Sequence, residues 1–504
     1  MSETATANTT EKTTDTLTEL LSAASFAESK VEQMPIIAEH FTEIDENISE
    51  QNRLLAGIST LLANSSDEDL QKGFNKLLVQ SIIAKIDELI NLQVNEIIHD
   101  KDFKYIEAQL ISLNELIERT NFDANIKVDI LDVSKEELSE DFESNSVDIA
   151  GSELFKKIYV KEYDQYGGEP YGSIIGLYEF DRSTEDLEWL STIGKIANAS
   201  HAPFVASVSP SFFDMENIEE LAAVRDLEGM MKHPKFRQWN QLRKTEQAAY
   251  IGLTLPRILL REPYDPENYP AAKSLKQFKE TLNPLNEDDY VWGSSAILFA
   301  SNLTRAFEKT GWCQYIRGPR AGGLIEELPL HLFNVRGRDE IKAPIQMLIP
   351  DFRELEFANC GFIPLIYNKN SDSACFFSSQ SIKAIEVFED PKDSENSQML
   401  ANMAYTYSIT RIAHYVKSMM RDNIGSNADA DYIREELSKW IFDYVTTVIN
   451  PDDPTLQRFP FKSANIEVMP IVGKVGWYKC NISVLPHIQL EGIDVELRID
   501  TRLG

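Results

Sequence analysis

One glycine-rich segment is the part of this chain most suggestive of a reaction site. Residues 163–176 read Tyr-Asp-Gln-Tyr-Gly-Gly-Glu-Pro-Tyr-Gly-Ser-Ile-Ile-Gly. Gly167 and Gly168 permit backbone angles that other residues avoid, and Pro170 fixes the following bend. A glycine turn beside Glu169 would suit a phosphate cradle or an active-site loop. The spacing is not Gly-x-Gly-x-x-Gly, however, and no Gly-Lys-Ser/Thr follows, so the sequence argues against phosphate binding.

The histidines have no spacing typical of catalysis or of metal binding. His201 follows Ser200, but adjacent side chains rarely face each other, and no Gly-x-Ser-x-Gly elbow is present. His414 and His487 have no second histidine four positions away, so zinc chemistry of the His-Glu-x-x-His type is not expected. We therefore predict structural histidines and neither a metal site nor a cofactor site.

Two groups of charged residues also favour a structural explanation. Glu326 and Glu327 would point to opposite faces of a strand, so they do not form a catalytic carboxylate pair. Four arginines would suit an acidic ligand, but in a chain this acidic we expect them to pair with carboxylates, inside the subunit or across an interface. These are Arg257, Arg261, Arg317 and Arg320.

Composition excludes several classes of function. With 49 Lys and Arg against 81 Asp and Glu, the formal net charge is −32, which argues against nucleic acid and against an anionic membrane surface. The four cysteines are scattered without Cys-x-x-Cys spacing, which predicts reduced thiols in a cytosol. The first residues do not resemble a signal peptide, and no apolar run is long enough to span a bilayer. We predict a cytoplasmic globular protein.

Helical periodicity marks the N-terminal part of the chain and a second region ahead of its C-terminal strands. Apolar residues at steps of three and four predict helices over 76–98 and near 103–118, and two more at about 398–421 and 429–446. The stripe of the first helix consists of Val79, Ile83, Ile86, Ile90, Val94 and Ile97. A shorter stripe in the N-terminal arm consists of Leu17, Leu20, Leu21 and Phe26. A helix that short is marginal in water, so it needs a partner surface.

Strand patterns occupy the middle and the end of the chain. Residues 127–131, 174–178, 204–206 and 248–253 predict strands within a mixed α/β region. Near the C-terminus three further strands alternate apolar and polar residues. Their apolar positions are Ile466 and Val468, then Tyr478, Cys480, Ile482 and Val484, and then Ile493, Val495, Leu497 and Ile499. Such terminal strands either form an antiparallel sheet within the chain or pair with a strand of another subunit.

Nearly the whole chain resembles the large subunit of the contractile sheath of bacterial type VI secretion systems, the TssC/VipB family. The Gly-Gly-Glu-Pro-Tyr-Gly core at 167–172 is a hallmark of that family, and further blocks follow in the same order up to about residue 503. They lie at 201–204, 250–257, 311–313, 316–318, 322–324, 361–365, 411–415, 421–422 and 486–487. Residues 164–166 and 374–378 are most similar to the IglB-like branch.

The resemblance implies a mixed α/β (α+β), phage-tail-sheath-like subunit whose C-terminal antiparallel strands are exchanged between neighbouring subunits. We divide the chain into a flexible arm (1–60), a helical hairpin (61–125), a central α/β sheath domain (126–395), a helical pair (396–450) and the inter-subunit strands (451–504). The apolar stripes at 79–97 and 405–445 are expected to pack with the small sheath subunit. The glycine segment would then be a turn that leads into the central sheet.

The same resemblance implies a structural protein without catalytic residues. Its expected partners are a TssB/VipA-like small subunit, further copies of itself, an Hcp-like inner tube and a membrane-anchored baseplate. An AAA+ unfoldase of the ClpV or ClpB type would recognise the N-terminal stripe, although packing of that stripe within the sheath is an equal alternative. Two other functions stay open on sequence alone: a cytosolic scaffold that does not polymerise, and an enzyme that uses the loop at 167–172.

Overall fold

Helix α1 covers Lys76–Ile98, the range that its apolar periodicity predicted. The structure is a computed structural model and describes residues 76–271, 275, 277–449 and 451–489, with the backbone alone described over 76–83. Helix α1 belongs to a small unit of residues 1–100 and 264–281. Within it, the side-chain amide of Asn95 accepts a hydrogen bond from the backbone N–H of Thr281 (2.8 Å) and donates one to the Thr281 carbonyl (3.1 Å).

The larger unit, residues 101–263 and 282–504, alternates helices and strands. Its helices are α2 (Lys101–Glu118), α3 (Lys135–Ser144), α4 (Thr184–Ser200), α5 (Ile218–Ala223), α6 (Leu227–Met231), α7 (Arg237–Leu242), α8 (Ala296–Thr310), α9 (Asp351–Asn359), α10 (Pro391–Ala401), α11 (Met403–Asp422), α12 (Ala430–Phe442) and α13 (Asp453–Arg458). A helical turn at Glu153–Phe155 continues as a π-helix over Lys156–Tyr163.

Among the described residues, the strands of the larger unit form one main sheet and three small ones. They are β1 (Ile174–Phe180), β2 (Phe204–Val208), β3 (Ile251–Leu255), β4 (Ile258–Leu259), β5 (Trp292–Gly293), β6 (Leu324–Ile325), β7 (His331–Val335), β8 (Arg338–Lys342), β9 (Ile363–Tyr367), β10 (Ala374–Phe376), β11 (Phe461–Pro470) and β12 (Tyr478–Pro486). The main sheet has the order β1-β2-β3-β9-β10-β6. Strands β1, β2, β3 and β9 are parallel, while β10 is antiparallel to both β9 and β6.

Both faces of the main sheet are covered, as expected for parallel strands. On β2, Phe204 and Ala206 belong to a core that also contains the inner face of α4. Val205 points to the opposite face and packs in a second core with α8. The alternation along one strand therefore divides the apolar side chains between two layers of helices.

A third core lies in the C-terminal part of the chain. Helices α11 and α12 pack with the antiparallel hairpin of β11 and β12. The buried members of this core are Trp312, Ile412, Ile433, Leu437, Ile441, Phe461 and Ile466. Most of the apolar stripe predicted over 405–445 is therefore occupied within this chain.

Within the described residues, the predicted elements agree with the structure to within a few residues at their ends, except in three places. Strand β3 begins at Ile251, because residues Glu246–Tyr250 form a 3-10 helix. The helix predicted over 398–421 is divided at Asn402, whose side chain caps α11. The strand predicted at 127–131 is wrong, because this segment pairs with no strand among the described residues. Side chains hold it instead, as described below.

Candidate assembly surfaces

The glycine segment, residues 163–176, forms a turn between the π-helix and β1. Gly167 has a φ of +78°, a conformation that favours glycine. A Cβ on Gly168 would lie 2.3 Å from the backbone carbonyl oxygen of Glu162, so the chain passes too close to itself for any larger residue. The two glycines thus serve backbone geometry, as the sequence predicted.

Side chains of the glycine segment hold the extended stretch that was predicted to be a strand. Glu169 forms an ion pair with Lys127, both of them exposed. The hydroxyl of Tyr171 donates a hydrogen bond to Oδ2 of Asp129 at 3.0 Å. These contacts use side chains on the exposed positions of the stretch, while Val128 packs against the second core. The stretch is therefore extended without a backbone ladder.

Helix α11 is fixed to the glycine segment along its length. Near its start, the hydroxyls of Tyr407 and Ser173 lie 2.8 Å apart. Near its end, Nζ of Lys417 lies 2.7 Å from Oδ1 of Asp164. One turn later, Arg421 donates hydrogen bonds to the carbonyl oxygens of Gln165 (2.7 Å) and Tyr163 (3.1 Å). The segment is therefore a docking surface for α11.

His414 lies in the middle of the same contact. Its Nε2 donates a hydrogen bond to the carbonyl oxygen of Ser200 at 3.0 Å. Its ring packs against those of Tyr163 and His201, with centroids 5.5 and 6.3 Å away. Burial lowers the pKa of His414 to about 4, and the positive charge of Lys417 acts in the same direction. The imidazole is therefore neutral at physiological pH and serves packing.

The residue pairs that the sequence offered as candidates for a reaction are not arranged for one. The hydroxyl of Ser200 donates to the carbonyl oxygen of Ile196 in its own helix rather than to His201. Glu326 and Glu327 lie directly after β6, and Glu327 has a φ of +61°, which ends the extended backbone there. No three His, Cys, Asp or Glu side chains in the described ranges converge as metal ligands.

Two of the four arginines pair with carboxylates, as predicted. Arg257 binds both carboxylate oxygens of Glu179. Arg261, which is almost fully buried, donates from Nε to Glu107 at 2.7 Å. Nε of Arg317 donates to the amide oxygen of Gln489 at 2.8 Å. Arg320 is exposed and lines a pocket beside α8.

The apolar stripe predicted on α1 is largely open to solvent where its side chains are described. Ile86, Ile90 and Ile97 are 45%, 41% and 47% exposed, and Val94 is partly buried. The side chains of Val79 and Ile83 are outside the described residues. Helix α2 likewise exposes a row of apolar residues at helical spacing: Phe103, Ile106, Leu110 and Ile117. Each helix thus presents an exposed apolar surface, and such surfaces often mark interaction sites.

The C-terminal hairpin pairs its two strands within the chain. The register joins Ile466 with Ile482 and Val468 with Cys480, and Gly473 and Gly476 form the turn with φ values of +83° and +79°. The hairpin is a two-stranded sheet among the described residues. The further strand positions predicted at Ile493, Val495, Leu497 and Ile499, and the N-terminal stripe at Leu17, Leu20, Leu21 and Phe26, lie outside the described residues. Their role stays a prediction.

Comparison with known families decides what these surfaces belong to. The model of the EvpB/VC_A0108 tail sheath N-terminal domain matches residues 80–383. The model of the EvpB/VC_A0108 tail sheath gpW/gp25-like domain matches residues 392–503. The chain belongs to the EvpB/VC_A0108 tail sheath family. As a member of this family it is a structural sheath component and not an enzyme, which confirms the prediction from the sequence blocks.

A curated relative of this tail sheath protein covers most of its length. The type VI secretion system sheath protein TssC1 of Pseudomonas aeruginosa is 37% identical over 430 residues, which is 84% of this chain and 86% of the relative. The assignment to the IglB-like branch and the five-part division of the chain stay predictions. Among the described residues, no helix is both long and apolar enough to cross a membrane.

Solved structures with a similar arrangement are only distantly alike. The baseplate structure of the anti-feeding prophage has a chain that is 9% identical, with a TM-score of 0.35, and the match covers 75% of this chain and 84% of that chain. The contracted sheath of an extracellular contractile injection system (PVC) has a chain that is 8% identical, with a TM-score of 0.34, covering 62% and 68%. At these scores the likeness adds nothing to the family assignment.

The contact between the glycine segment and α11 joins the two parts of the chain that the two family models match. The glycine segment lies in the part matched by the N-terminal domain, and α11 lies in the part matched by the gpW/gp25-like domain. Sequence reasoning marked both blocks but did not connect them. Ser173 and Tyr407 gave no signal of their own, because a serine after a turn and a tyrosine in a helical stripe are both common.

Proposed function

We propose that this chain is the large subunit of a type VI secretion sheath and that it forms heterodimers with a small, TssB/VipA-like subunit. The heterodimers polymerise in the cytoplasm around an Hcp-like inner tube, on a membrane-anchored baseplate. Contraction of the polymer then drives the tube and its effectors out of the cell. The observation that supports this proposal best is the exposed apolar stripe of α1, Ile86, Ile90 and Ile97, on a chain of the tail sheath family.

An exposed stripe of this kind predicts a helical partner. Apolar side chains at steps of three and four leave a groove-and-ridge surface that another amphipathic helix can cover. Burying three half-exposed isoleucines would contribute about 2 kcal/mol each at ~25 cal/mol per Å2 of apolar surface. We assign the small subunit as the partner that covers this stripe.

Co-expression with the neighbouring small-subunit gene tests the proposal. Tubules in negative-stain micrographs of the co-purified proteins support a sheath. Soluble heterodimers that never polymerise would instead support the scaffold alternative. A monomer with enzymatic turnover, lost on substitution of Glu169 in the loop at 167–172, would overturn both.

The C-terminal strands are proposed to link neighbouring subunits and to transmit force during contraction. The hairpin of β11 and β12 has strand edges to which an additional strand can be added. Inserting a few flexible residues between α12 and α13, near Pro451, would slacken such a link. Contraction with normal kinetics and full effector delivery after that insertion would contradict a force-bearing role.

Recycling of the sheath is proposed to use the N-terminal stripe, Leu17, Leu20, Leu21 and Phe26, as the site for a ClpV- or ClpB-type unfoldase. Deleting residues 1–30 should not affect assembly or contraction. It should prevent the disassembly of contracted sheaths. Loss of assembly in the deletion variant would indicate that the stripe packs within the sheath instead.

A further inference from the structure

One pocket of the larger unit is lined by several cationic side chains. It lies between the end of α8, the loop after Tyr315 and helix α13. Its lining includes Arg305, Lys309 and Arg320, and none of the residues that line it carries a carboxylate. In a chain with a formal net charge of −32, such a place is unexpected. We name it the basic pocket.

The loop that forms one wall of the basic pocket is closed by glycine. Gly322 has a φ of +95°, and a Cβ there would lie 2.2 Å from the backbone carbonyl oxygen of Tyr315. A side chain at this position would push the two ends of the loop apart. Gly322, which belongs to one of the sequence blocks, therefore shapes this wall.

Arg305 is held in place on one side and left open on the other. Its Nη2 donates to Oδ1 of Asn302 (2.6 Å) and to the carbonyl oxygens of Gly322 (2.8 Å) and Leu324. Its Nε and Nη1 make no hydrogen bond within the described part of the chain. Burial and the nearby Arg119 lower its pKa, which Glu326 opposes, but a guanidinium stays charged at neutral pH. Arg305 is thus a preorganised cation.

The other polar groups of the pocket are also available. Lys309 and Arg320 are exposed and form no ion pair with any described residue. The hydroxyl of Tyr315 and the amide of Gln457 make no hydrogen bond within the described ranges. Burial raises the pKa of Tyr315 to about 12, so its hydroxyl remains a donor. Cations and neutral donors together suit a carboxylate.

We propose that the basic pocket binds an acidic side chain of a second copy of this chain in the assembled sheath. Charge balance favours this occupant. If every Lys and Arg paired with one carboxylate, 32 carboxylates of each copy would still have no cationic partner. Copies brought side by side therefore repel unless cations on one meet acids on the next. The proposal rests on the sheath function given above.

Carbodiimide coupling in assembled tubules tests this proposal directly. The reagent joins a lysine amine to a carboxylate only when the two are in contact. Tubules should be grown from a mixture of 14N- and 15N-labelled copies with the small subunit, coupled, and analysed by mass spectrometry. The expected product is a Lys309 peptide joined to an acidic peptide of this chain, in pairs that combine one light and one heavy partner.

Substitutions separate the charge of the pocket from its fold. K309R should keep tubule yield and lose the cross-link, because arginine does not couple. The double variant K309E/R320E should lower tubule yield about tenfold or more, and reversing the charge of the cross-linked acid should restore it. K195E, at an exposed lysine of α4 without an ion pair to any described residue, is the matched control and should leave the yield unchanged. Thermal unfolding checks that each variant folds.

Several outcomes would overturn the proposal. They are a Lys309 cross-link only within one copy, a cross-link to the small subunit or to a tube protein, and saturable binding of inorganic phosphate that K309E/R320E abolishes while tubules still form. Tubules of the unaltered chain that lack the inter-copy cross-link would reject the pocket proposal alone. Absence of tubules from the unaltered chain would reject the sheath function itself.

Discussion

The hydroxyls of Ser173 and Tyr407 lie 2.8 Å apart, although 234 positions separate the two residues along the chain. Ser173 also donates its single hydroxyl proton to the carbonyl oxygen of Pro203 at 3.0 Å. Tyr407 must therefore be the donor in the pair. Tyr407 is almost fully buried, so its hydroxyl has no access to water. This bond joins the glycine segment to α11.

Removing the two hydroxyls should have unequal effects. S173A leaves the buried donor of Tyr407 without an acceptor and should lower the free energy of unfolding by about 1–3 kcal/mol. Y407F leaves Ser173 bonded to Pro203 and should cost about 1 kcal/mol or less. Urea unfolding of the purified full-length chain measures both values. A larger loss for Y407F than for S173A would contradict the assigned direction of the bond.

Alanine substitutions at two glycines of the Gly-Gly-Glu-Pro-Tyr-Gly core test whether a close backbone contact requires glycine at Gly168. G168A would force a Cβ to 2.3 Å from the carbonyl oxygen of Glu162 and should lower the free energy of unfolding by about 2 kcal/mol or more. A Cβ on Gly172 meets nothing within 4 Å, and its φ is not positive, so G172A should be neutral or slightly stabilising. Equal unfolding midpoints for the two variants would disprove the steric explanation.

Acid should weaken the contact that His414 makes with Ser200. Its pKa is lowered from 6.5 to about 4 in the folded protein, so below pH 6.5 the unfolded chain takes up the proton first. This contribution is fully present above pH 6.5 and is lost progressively as the pH falls to 4, by up to about 3 kcal/mol. The neighbouring His201, Arg411 and Lys417 lower the pKa of His414 in the same direction.

The variant H414Q isolates the histidine in that pH dependence. Glutamine retains an N–H donor for the carbonyl of Ser200 but does not titrate. We expect the fall in unfolding midpoint between pH 7 and pH 5 to be smaller in H414Q than in the unaltered chain. H233Q changes an exposed histidine and should retain the full fall in unfolding midpoint. Identical slopes for H414Q and the unaltered chain would rule out His414 as the source.

A charge on the exposed stripe of α1 should prevent partner binding without unfolding the chain. I90D places a carboxylate where an apolar partner helix is expected, and burying it there would be costly. We expect recovery of the small subunit in co-purification to fall about tenfold or more, with an unchanged unfolding midpoint. Q93D adds the same charge at an exposed polar position of α1 and should bind normally. Normal binding by I90D would exclude this stripe as the interface.

The two long apolar stripes show what periodicity alone can and cannot predict. The range of α1 and the presence of helices in the C-terminal part followed from steps of three and four, because those steps place apolar side chains on one helical face. The same pattern did not reveal what covers that face. The stripe of α12 is covered within this chain, with Leu437 and Ile441 fully buried, whereas Ile86 and Ile90 of α1 are exposed.

The predicted strand at 127–131 failed for a related reason. Its alternation of polar and apolar residues fits an extended chain, and the chain is extended there. A strand needs a backbone partner as well, and the contacts of Lys127 and Asp129 with Glu169 and Tyr171 are made by side chains. Alternation reports on which side chains are buried, and pairing depends on residues far along the chain.

The sequence by itself determined the family, the acidic character and the helical ranges, because these depend on residue types and on local spacing. It also determined that the glycine turn lacks the spacing of a phosphate site. Only the tertiary structure decided that Ser173 meets Tyr407, and that Arg305, Lys309 and Arg320 line one pocket without a carboxylate. Such meetings depend on how the sheet and the helices pack, since residues far apart along the chain approach each other only when the whole core forms.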